Sequence, residues 1–226
     1  MKILCVASVE DRANVDAQIL KQTVKPDRTI IVVDNDPANT IDDRRIRIAH
    51  NQNKLRDIVK AYECDLVFQV EGDSILPDDC LERLIARYRG LKTYTFYPKK
   101  FGYISGNQIG RHGLYHIGAW VNFSDSHFES IDHTLTGVQE VEATGLYCLL
   151  ASKASFLDGE VKWNGEPYGP DVVWSRSITA KQRRIFIDMD LEIGHQVKSG
   201  VIYPHHISTT TVKFDKNNGK WGYKAL

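Results

Sequence analysis

Two acidic side chains separated by one glycine, Glu71 and Asp73, directly follow an apolar run at residues 66–70. Side chains two positions apart on an extended backbone lie on the same side, so both carboxylates can face one ligand. Gly72 leaves room for a ligand to approach the backbone. Carboxylates do not bind a phosphate directly, but a divalent cation held between them neutralises both. The pattern therefore predicts a site for a divalent cation and a phosphorylated substrate.

Other polar residues follow the remaining predicted strands of the first half. Ser8 and Arg12 come after the first strand, and Asp34 ends the second. Ligands of open α/β sheets bind beyond the carboxyl ends of the strands, so these residues are expected near Asp73. The glycines match neither the GxGxxG nor the GxxxxGK[ST] pattern, which argues against a dinucleotide fingerprint or a P-loop.

Each candidate acid also has a structural interpretation. Asp34 could close the turn DNDP, and Asp73 could cap a helix that starts near residue 77. Asp171 has the position of a helix N-cap. A second acid-x-acid pair, Asp188 and Asp190, is interpreted as a pair of structural turn acids.

Strand and helix patterns alternate over the first 90 residues. We predict strands at residues 2–9, 29–33, 45–48 and 66–70, and helices at 13–23, 54–64 and 77–88. Residues 93–124 are rich in Tyr, Phe and Gly and favour strands or loops, followed by an apolar run at 141–151, a helix at 171–181 and a strand at 184–187. This alternation indicates an α/β fold with βαβ units, in which helices flank a central mixed, mostly parallel sheet.

Length and composition limit the classes of protein. A chain of 226 residues is expected to form one domain. Its 29 basic and 29 acidic residues balance, which argues against a general polyanion-coating protein. No apolar run approaches the length of a transmembrane helix, and the N-terminus lacks a secretory h-region. Four cysteines without a CxxC pair fit neither a zinc site nor a disulfide framework, so a reducing, cytoplasmic location is expected.

Several segments together resemble a known family. They are KILCVASVEDR, TIIVVDNDP, NQNKLRDIVKAYECDLVFQVEGDSILP, VEATGLYCLLASKASF and GPDVVWSRSITAKQRRIFIDMDLEIGH. In order and spacing they resemble the GT-A-fold glycosyltransferases of family 2, over about residues 1–196. The resemblance implies a single Rossmann-like GT-A domain over residues 1–226. Residues 1–90 would bind the nucleotide-sugar, residues 91–200 would form the acceptor side, and residues 201–226 would be a basic C-terminal tail.

The resemblance also implies roles for individual residues on the donor side. Ser8 and Arg12 would contact the nucleotide, and Asp34 would hydrogen-bond a uracil-type base. Asp73 matches the metal-binding acid of the DxD motif. Glu71 stands where the family usually has Asp, so its longer side chain would contact the ribose or a metal-bound water instead.

Two further roles lie in the second half of the chain. His195 matches a late histidine that binds the metal or the diphosphate. Asp171 matches the general base, although the family often has Glu-Asp there and this chain has Pro170 before Asp171. Glu166 is therefore the alternative base.

The implied function is inverting, metal-dependent transfer of a sugar from a nucleotide-diphosphate sugar, with UDP favoured and Mn²⁺ or Mg²⁺ as the cation. The acceptor hydroxyl would belong to a glycan or to a hydroxylated base in bacteriophage DNA. The DNA acceptor is suggested by residues 83–124, which hold seven basic and no acidic side chains, and by a lysine-bearing tail with Trp221 and Tyr223.

Two other functions are alternatives to glycosyl transfer. A GT-A-like nucleotidyltransferase needs a glycine-rich loop after the first strand, which VASVEDRAN does not supply. A non-catalytic sugar-binding module would not need both an acid-x-acid pair and a separate base.

Overall fold

Strands and helices alternate through the computed structural model, which describes residues 1–9, 12–33, 44–93, 100–110, 116–124, 127–162, 168–207, 210–215 and 220–225. The elements before residue 94 are β1 (Ile3–Val9), α1 (Arg12–Lys21), β2 (Arg28–Val33), α2 (Arg44–Ala61), β3 (Leu66–Glu71), β4 (Ser74–Ile75) and α3 (Cys80–Thr93). The next elements are β5 (Lys100–Asn107), β6 (Ile109–Gly110), β7 (His116–Ile117), β8 (Ala119–Val121), β9 (His127–Ser130), β10 (Val138–Val141), β11 (Ala143–Thr144) and β12 (Cys148–Ser152). The last are α4 (Lys153–Asp158), α5 (Pro170–Ala180), β13 (Arg183–Glu192), β14 (Gly194–Val197), β15 (Gly200–Ile202), a 3₁₀ turn (Pro204–His206), β16 (Thr210–Asp215) and β17 (Lys220–Ala225).

The central sheet has seven strands in the order β10-β13-β5-β12-β3-β1-β2. The pairings of β2, β1, β3, β5 and β13 give these five strands one direction, and β12 and β10 run the opposite way. The predicted α/β class with a mixed, mostly parallel sheet is therefore confirmed. Strands from both halves of the chain belong to this sheet, so the two predicted halves share one scaffold.

Alternation along β1 divides the core into two layers. Leu4 and Val6 belong to the apolar cluster that includes α2, α4 and α5. Cys5 and Ala7 belong to the cluster on the opposite face, which includes α1 and α3. A strand covered on both faces has a continuous apolar run, which is why β1 was predictable from sequence. Within the described residues, every helix is too short or too polar to cross a bilayer.

Within the described residues there are three smaller sheets beside the central one, of which the β6-β7 pair is the smallest. The first has five antiparallel strands in the order β11-β8-β9-β16-β17, so the polar segment after Pro204 contributes a hairpin for which the sequence showed no clear period. The second has three strands, in which β14 pairs with both β15 and β4. The β4–β14 pair joins the segment after β3 to the last third of the chain.

Helix α2 corrects a prediction. Residues 45–48 were expected to form a strand and the helix to begin at residue 54, but the helix begins at Arg44. Ile46 and Ile48 alternate with arginines as they would in a strand, yet Ile46 is 45% exposed. The helical stripe was not visible because Asn51 and Gln52, both buried and polar, interrupt it.

The second acid-x-acid pair has a structural role, as interpreted, although it lies within β13 rather than in a turn. Asp188 is completely buried and accepts a hydrogen bond of 2.9 Å from Nε of Arg87. Asp190 accepts a hydrogen bond of 2.9 Å from the backbone N–H of Gly137. These contacts attach α3 and the segment before β10 to β13.

We expect Asp188→Asn to lower the free energy of unfolding by about 1.5–3 kcal/mol, because a buried, charge-assisted hydrogen bond is lost. Urea denaturation measures this change. Asp190→Asn is the matched control and should cost at most about 1 kcal/mol, since the Asp190 side chain is 45% exposed. Equal losses in the two variants would contradict the assignment.

Candidate functional site

The order of the central strands creates a crevice at the carboxyl end of β1. The chain passes from β1 to β2 on one side and then returns to β3 on the other side of β1. Ligands of open α/β sheets bind at such a switch point. A cavity of about 370 Å³, called the first cavity below, opens there. Its lining includes Ser8 at the end of β1, Asn14 on α1, and Arg44 and Asn51 on α2.

A second cavity of about 420 Å³ adjoins the first. Arg44, Ile48, Glu71 and Asp73 line both cavities, so the two spaces meet at the predicted metal-binding acids. Asp171 and His195 line the second cavity. The tertiary structure therefore brings together four predicted site residues that are spread over 125 positions of the sequence, namely Glu71, Asp73, Asp171 and His195.

Asp73 and His195 are neighbours. Oδ2 of Asp73 lies 3.8 Å from Nε2 of His195, and His195 is only 6% exposed. Nδ1 of His195 lies 2.8 Å from the carbonyl oxygen of Ile109. A carbonyl only accepts, so Nδ1 carries a proton and donates, and Nε2 lies on the side of Asp73.

Backbone contacts hold the segment from Glu71 to Ser74. The carbonyl oxygen of Tyr147 accepts hydrogen bonds from the N–H of Glu71 at 2.9 Å and from Oγ of Ser74 at 3.0 Å. The side-chain amide of Asn14 donates to the carbonyl oxygen of Gly72 at 2.5 Å. These contacts fix the backbone that carries the two acids.

Close packing explains why residue 72 is a glycine, in addition to its position on the first cavity. A Cβ atom built at Gly72 would lie 2.9 Å from Cγ1 of Val9, closer than side chains pack. The sequence suggested only that the glycine leaves room for a ligand. The structure adds a second reason: Val9, the last residue of β1, leaves no space for a side chain at position 72.

Gln108 is a site residue that the sequence did not predict. Its Nε2 donates to Oγ of Ser74 and to the carbonyl oxygen of Gly194, both at 3.1 Å. Gln108 is 1% exposed and so connects β4 to β14 from inside the protein. The residues next to Gln108 in the sequence do not indicate that its side chain joins β4 to β14.

Asp171 is the second residue of α5, and Gly169 is its N-cap, so the structural interpretation of Asp171 as an N-cap is wrong. Its carboxylate faces Gly145, since a Cβ built at Gly145 would lie 3.8 Å from Oδ2 of Asp171. The carboxylate of Asp171 therefore lies near the turn that follows β11. The carboxylate lies at the edge of the second cavity, half-buried.

A buried hydroxyl network supports the start of α5. The Tyr103 hydroxyl lies 2.9 Å from Oγ1 of Thr144 and 2.9 Å from Oγ of Ser175. Burial raises the pKa of Tyr103 well above its ordinary value, so the hydroxyl stays protonated and can donate. Ser175 also contacts the carbonyl oxygen of Asp171 at 2.9 Å. The network fixes the first turn of α5 relative to β11.

Four aromatic residues line the second cavity, namely Trp120, Phe128, Tyr147 and Tyr168. The ring of Phe128 lies 5.1 Å from that of Trp120 and 5.8 Å from that of Tyr168, both nearly perpendicular. The sequence favours a core position for Trp163, Trp174 and the aromatics of residues 94–103, with a sugar-stacking wall as the alternative. Trp174 is fully buried in the core, as interpreted. Trp163 and residues 94–99 lie outside the described residues.

Of the other residues predicted to belong to the site, one lines a cavity, one does not, and two lie outside the described residues. Ser8 lines the first cavity as expected for a nucleotide contact. Arg12 lines neither cavity, and its Nε instead bonds Oδ2 of Asp16 at 2.8 Å. Asp34 and Glu166 lie outside the described residues. The cations at the site come instead from α2, where Arg44 lines both cavities, Arg47 the first and Arg45 the second. Three arginines within residues 44–47 were a signal that sequence reasoning did not use.

The described basic side chains of residues 83–124 line neither cavity, although residues 108–110, 118 and 120 of the same segment line the second. Its first four basic residues belong to α3, no residue of which lines either cavity. Arg83 donates to the carbonyl oxygen of Asp190 and Arg87 pairs with Asp188, so both attach α3 to β13. Arg111 and Lys99 lie outside the described residues.

The donor atoms at the site suit a cation of the Mg²⁺ or Mn²⁺ type. Among the described residues, no group of three or more His, Cys, Asp or Glu side chains is placed to hold a metal ion. Asp73 and His195 nevertheless supply one carboxylate oxygen and one imidazole nitrogen whose other ring nitrogen is held by a carbonyl, as in metal-ligating histidines. Such cations take one or two protein ligands and complete their shell with water and substrate phosphates.

Comparisons with known proteins bear on the fold. No family model and no curated protein matches this chain. Among solved structures, the crystal structure of A197 from STIV is similar, with a TM-score of 0.54 and 10% identity, over 100% of this chain and 95% of that chain. At this identity the similarity shows that the α/β fold extends over the whole chain.

We expect Gly72→Ala to lower the free energy of unfolding by about 1–3 kcal/mol, because the new methyl group overpacks against Val9. Urea denaturation measures the change. Gly90→Ala is the matched control: no atom lies within 4 Å of a Cβ at this helical position. It should stabilise the protein by about 0.5–1 kcal/mol. A neutral Gly72→Ala variant would refute the packing argument.

Proposed function

We propose that this protein is an inverting, metal-dependent glycosyltransferase that moves a sugar from a UDP-sugar to an acceptor hydroxyl. The observation that carries the proposal is the meeting of the two cavities at Glu71 and Asp73, with His195 and Asp171 on the second cavity. One cavity at a sheet switch point suits a nucleotide, and an adjoining cavity with a carboxylate suits an acceptor.

The donor lies in the first cavity with its diphosphate at the junction. Asp73 and His195 would hold a divalent cation, which offsets the charge of the diphosphate. Arg44 lines both cavities at the same junction and adds a positive charge near the leaving group. The preference for uridine is inferred from the resemblance at Asp34, which lies outside the described residues.

Asp171 acts as the general base. The acceptor oxygen attacks the anomeric carbon while the bond from that carbon to the diphosphate oxygen breaks. The hydroxyl proton passes to the Asp171 carboxylate. With the donor in the first cavity and Asp171 on the second, the acceptor would approach from the face opposite the leaving group, and the anomeric configuration would invert.

The second cavity favours a glycan acceptor over DNA. Tyr168 on this cavity is half-buried and offers an apolar face against which a sugar ring can pack, while the buried Phe128 supports it from behind. The arginines on α3 that suggested a nucleic-acid track line neither cavity, and two of them contact β13. A non-catalytic sugar-binding module would share this aromatic face but would not turn over a donor.

We expect Asp73→Asn to reduce turnover by about 10²-fold or more, the scale of a lost charge interaction in the transition state. The same variant should lose Mn²⁺ binding in the presence of UDP, as measured by calorimetry, with an unchanged circular dichroism spectrum. Asp16→Asn is the control, because Asp16 pairs with Arg12 away from both cavities. Full turnover by the wild-type protein in excess EDTA would rule out a metal-dependent mechanism.

We expect Asp171→Asn to reduce acceptor-dependent transfer by about 10²–10⁴-fold, the contribution of a positioned general base. Donor affinity should stay unchanged, since the carboxylate lies on the acceptor cavity. Transfer from a panel of UDP-sugars to glycan acceptors measures the first effect, and UDP titration the second. Glu166→Gln is the comparison: if it abolishes transfer and Asp171→Asn does not, Glu166 is the base.

A further inference from the structure

Four side-chain amides line the first cavity: Asn14, Asn51, Gln52 and Gln69. Three of them are engaged within the protein. Gln52 and Gln69 exchange two hydrogen bonds of 2.9 and 3.0 Å. Asn14 donates to the carbonyl oxygen of Gly72 at 2.5 Å and accepts from Gln18 at 3.4 Å.

Asn51 differs from the other three. It is 3% exposed, and its Oδ1 is buried and accepts no hydrogen bond from the residues that the structure describes. A buried polar atom without a partner destabilises a fold, and natural proteins contain few of them. The amide of Asn51 is therefore a group whose presence the packing alone does not explain.

The position of Asn51 on α2 indicates which part of a nucleotide it can reach. Arg44, Ile48 and Asn51 follow helical spacing and all line the first cavity. Arg44 and Ile48 line both cavities, at the junction where the phosphates are proposed to bind, whereas Asn51 lines only the first cavity. Asn51 therefore lies towards the nucleoside end of the first cavity.

We propose that Asn51, rather than Asp34 as the resemblance implies, is the specificity-determining residue that accepts a hydrogen bond from the ring N–H of a uracil-type base. This inference depends on the proposed nucleotide-sugar function. Phosphate oxygens at neutral pH only accept, so the amide oxygen needs a donor from the nucleoside. The imide edge of uracil presents an N–H beside a carbonyl, which matches the oxygen and N–H₂ of one amide.

The test compares UDP with its N3-methyl analogue, which lacks the ring N–H. By calorimetry, the wild-type protein should bind N3-methyl-UDP about 10–100-fold more weakly than UDP. Asn51→Leu should bind UDP weakly by a similar factor and should no longer distinguish the two ligands. Equal affinity of the wild-type protein for both ligands would overturn the inference without any variant.

Stability provides an independent measurement. Asn51→Leu removes an unsatisfied buried oxygen, so the nucleotide-free variant should melt about 2–4 °C higher than the wild-type protein. Asn53→Leu is the matched control: Asn53 donates to the carbonyl oxygen of Val161 at 3.1 Å. It should melt lower and bind UDP normally. A lower melting temperature for Asn51→Leu with unchanged UDP affinity would assign Asn51 a structural role and overturn the inference.

The outcomes separate this inference from the proposed function. A wild-type protein that binds none of UDP, TDP, GDP or ADP would overturn both. Binding and turnover of a UDP-sugar with no penalty for N3 methylation would overturn only the role of Asn51. Tighter binding of ADP or GDP than of UDP would also overturn it.

Discussion

The antiparallel pairing of β4 with β14 is the constraint on which the candidate site depends. It joins Ser74 to His195 and is extended by a 2.8 Å hydrogen bond from the N–H of Gln196 to the carbonyl oxygen of Asp73. The paired segments are about 120 residues apart in the sequence, so folding must offset the entropy of closing that loop. Only this pairing brings the carboxylate of Asp73 within 3.8 Å of His195.

Buried polar groups behind the pairing fall into two kinds. Gln108, Ser74 and the carbonyl oxygen of Tyr147 form a network of hydrogen bonds, and such networks make a site rigid. Asn51 on the first cavity has a buried oxygen with no partner among the described residues. The first kind stabilises the fold, and the second lowers its stability while offering a ligand an acceptor. This contrast is typical of binding sites, where function and stability compete.

Arginine side chains in this chain have two roles: some attach secondary-structure elements to one another, and others line the candidate site. Arg87 on α3 pairs with the buried Asp188 and so attaches a helix to β13. Arg44 on α2 lies at the junction of the two cavities, beside acids that would otherwise repel a phosphate. A run of like charges in the sequence therefore does not identify a binding surface, because its members can be neutralised by partners elsewhere in the fold.

Sequence alone determined the elements whose pattern is local. The continuous apolar runs of β1 and β3 and the first turn of α5 indicated the α/β class, and they placed Asp73 and Asp171 at element ends. The start of α2, the role of Gln108 and the aromatic lining around Phe128 were decided by tertiary structure. Periodicity reports which side of one element is buried, whereas these features depend on which distant segments pair. Buried amides such as Asn51 and Gln52 even concealed the helical pattern, because they face a cavity rather than the apolar core.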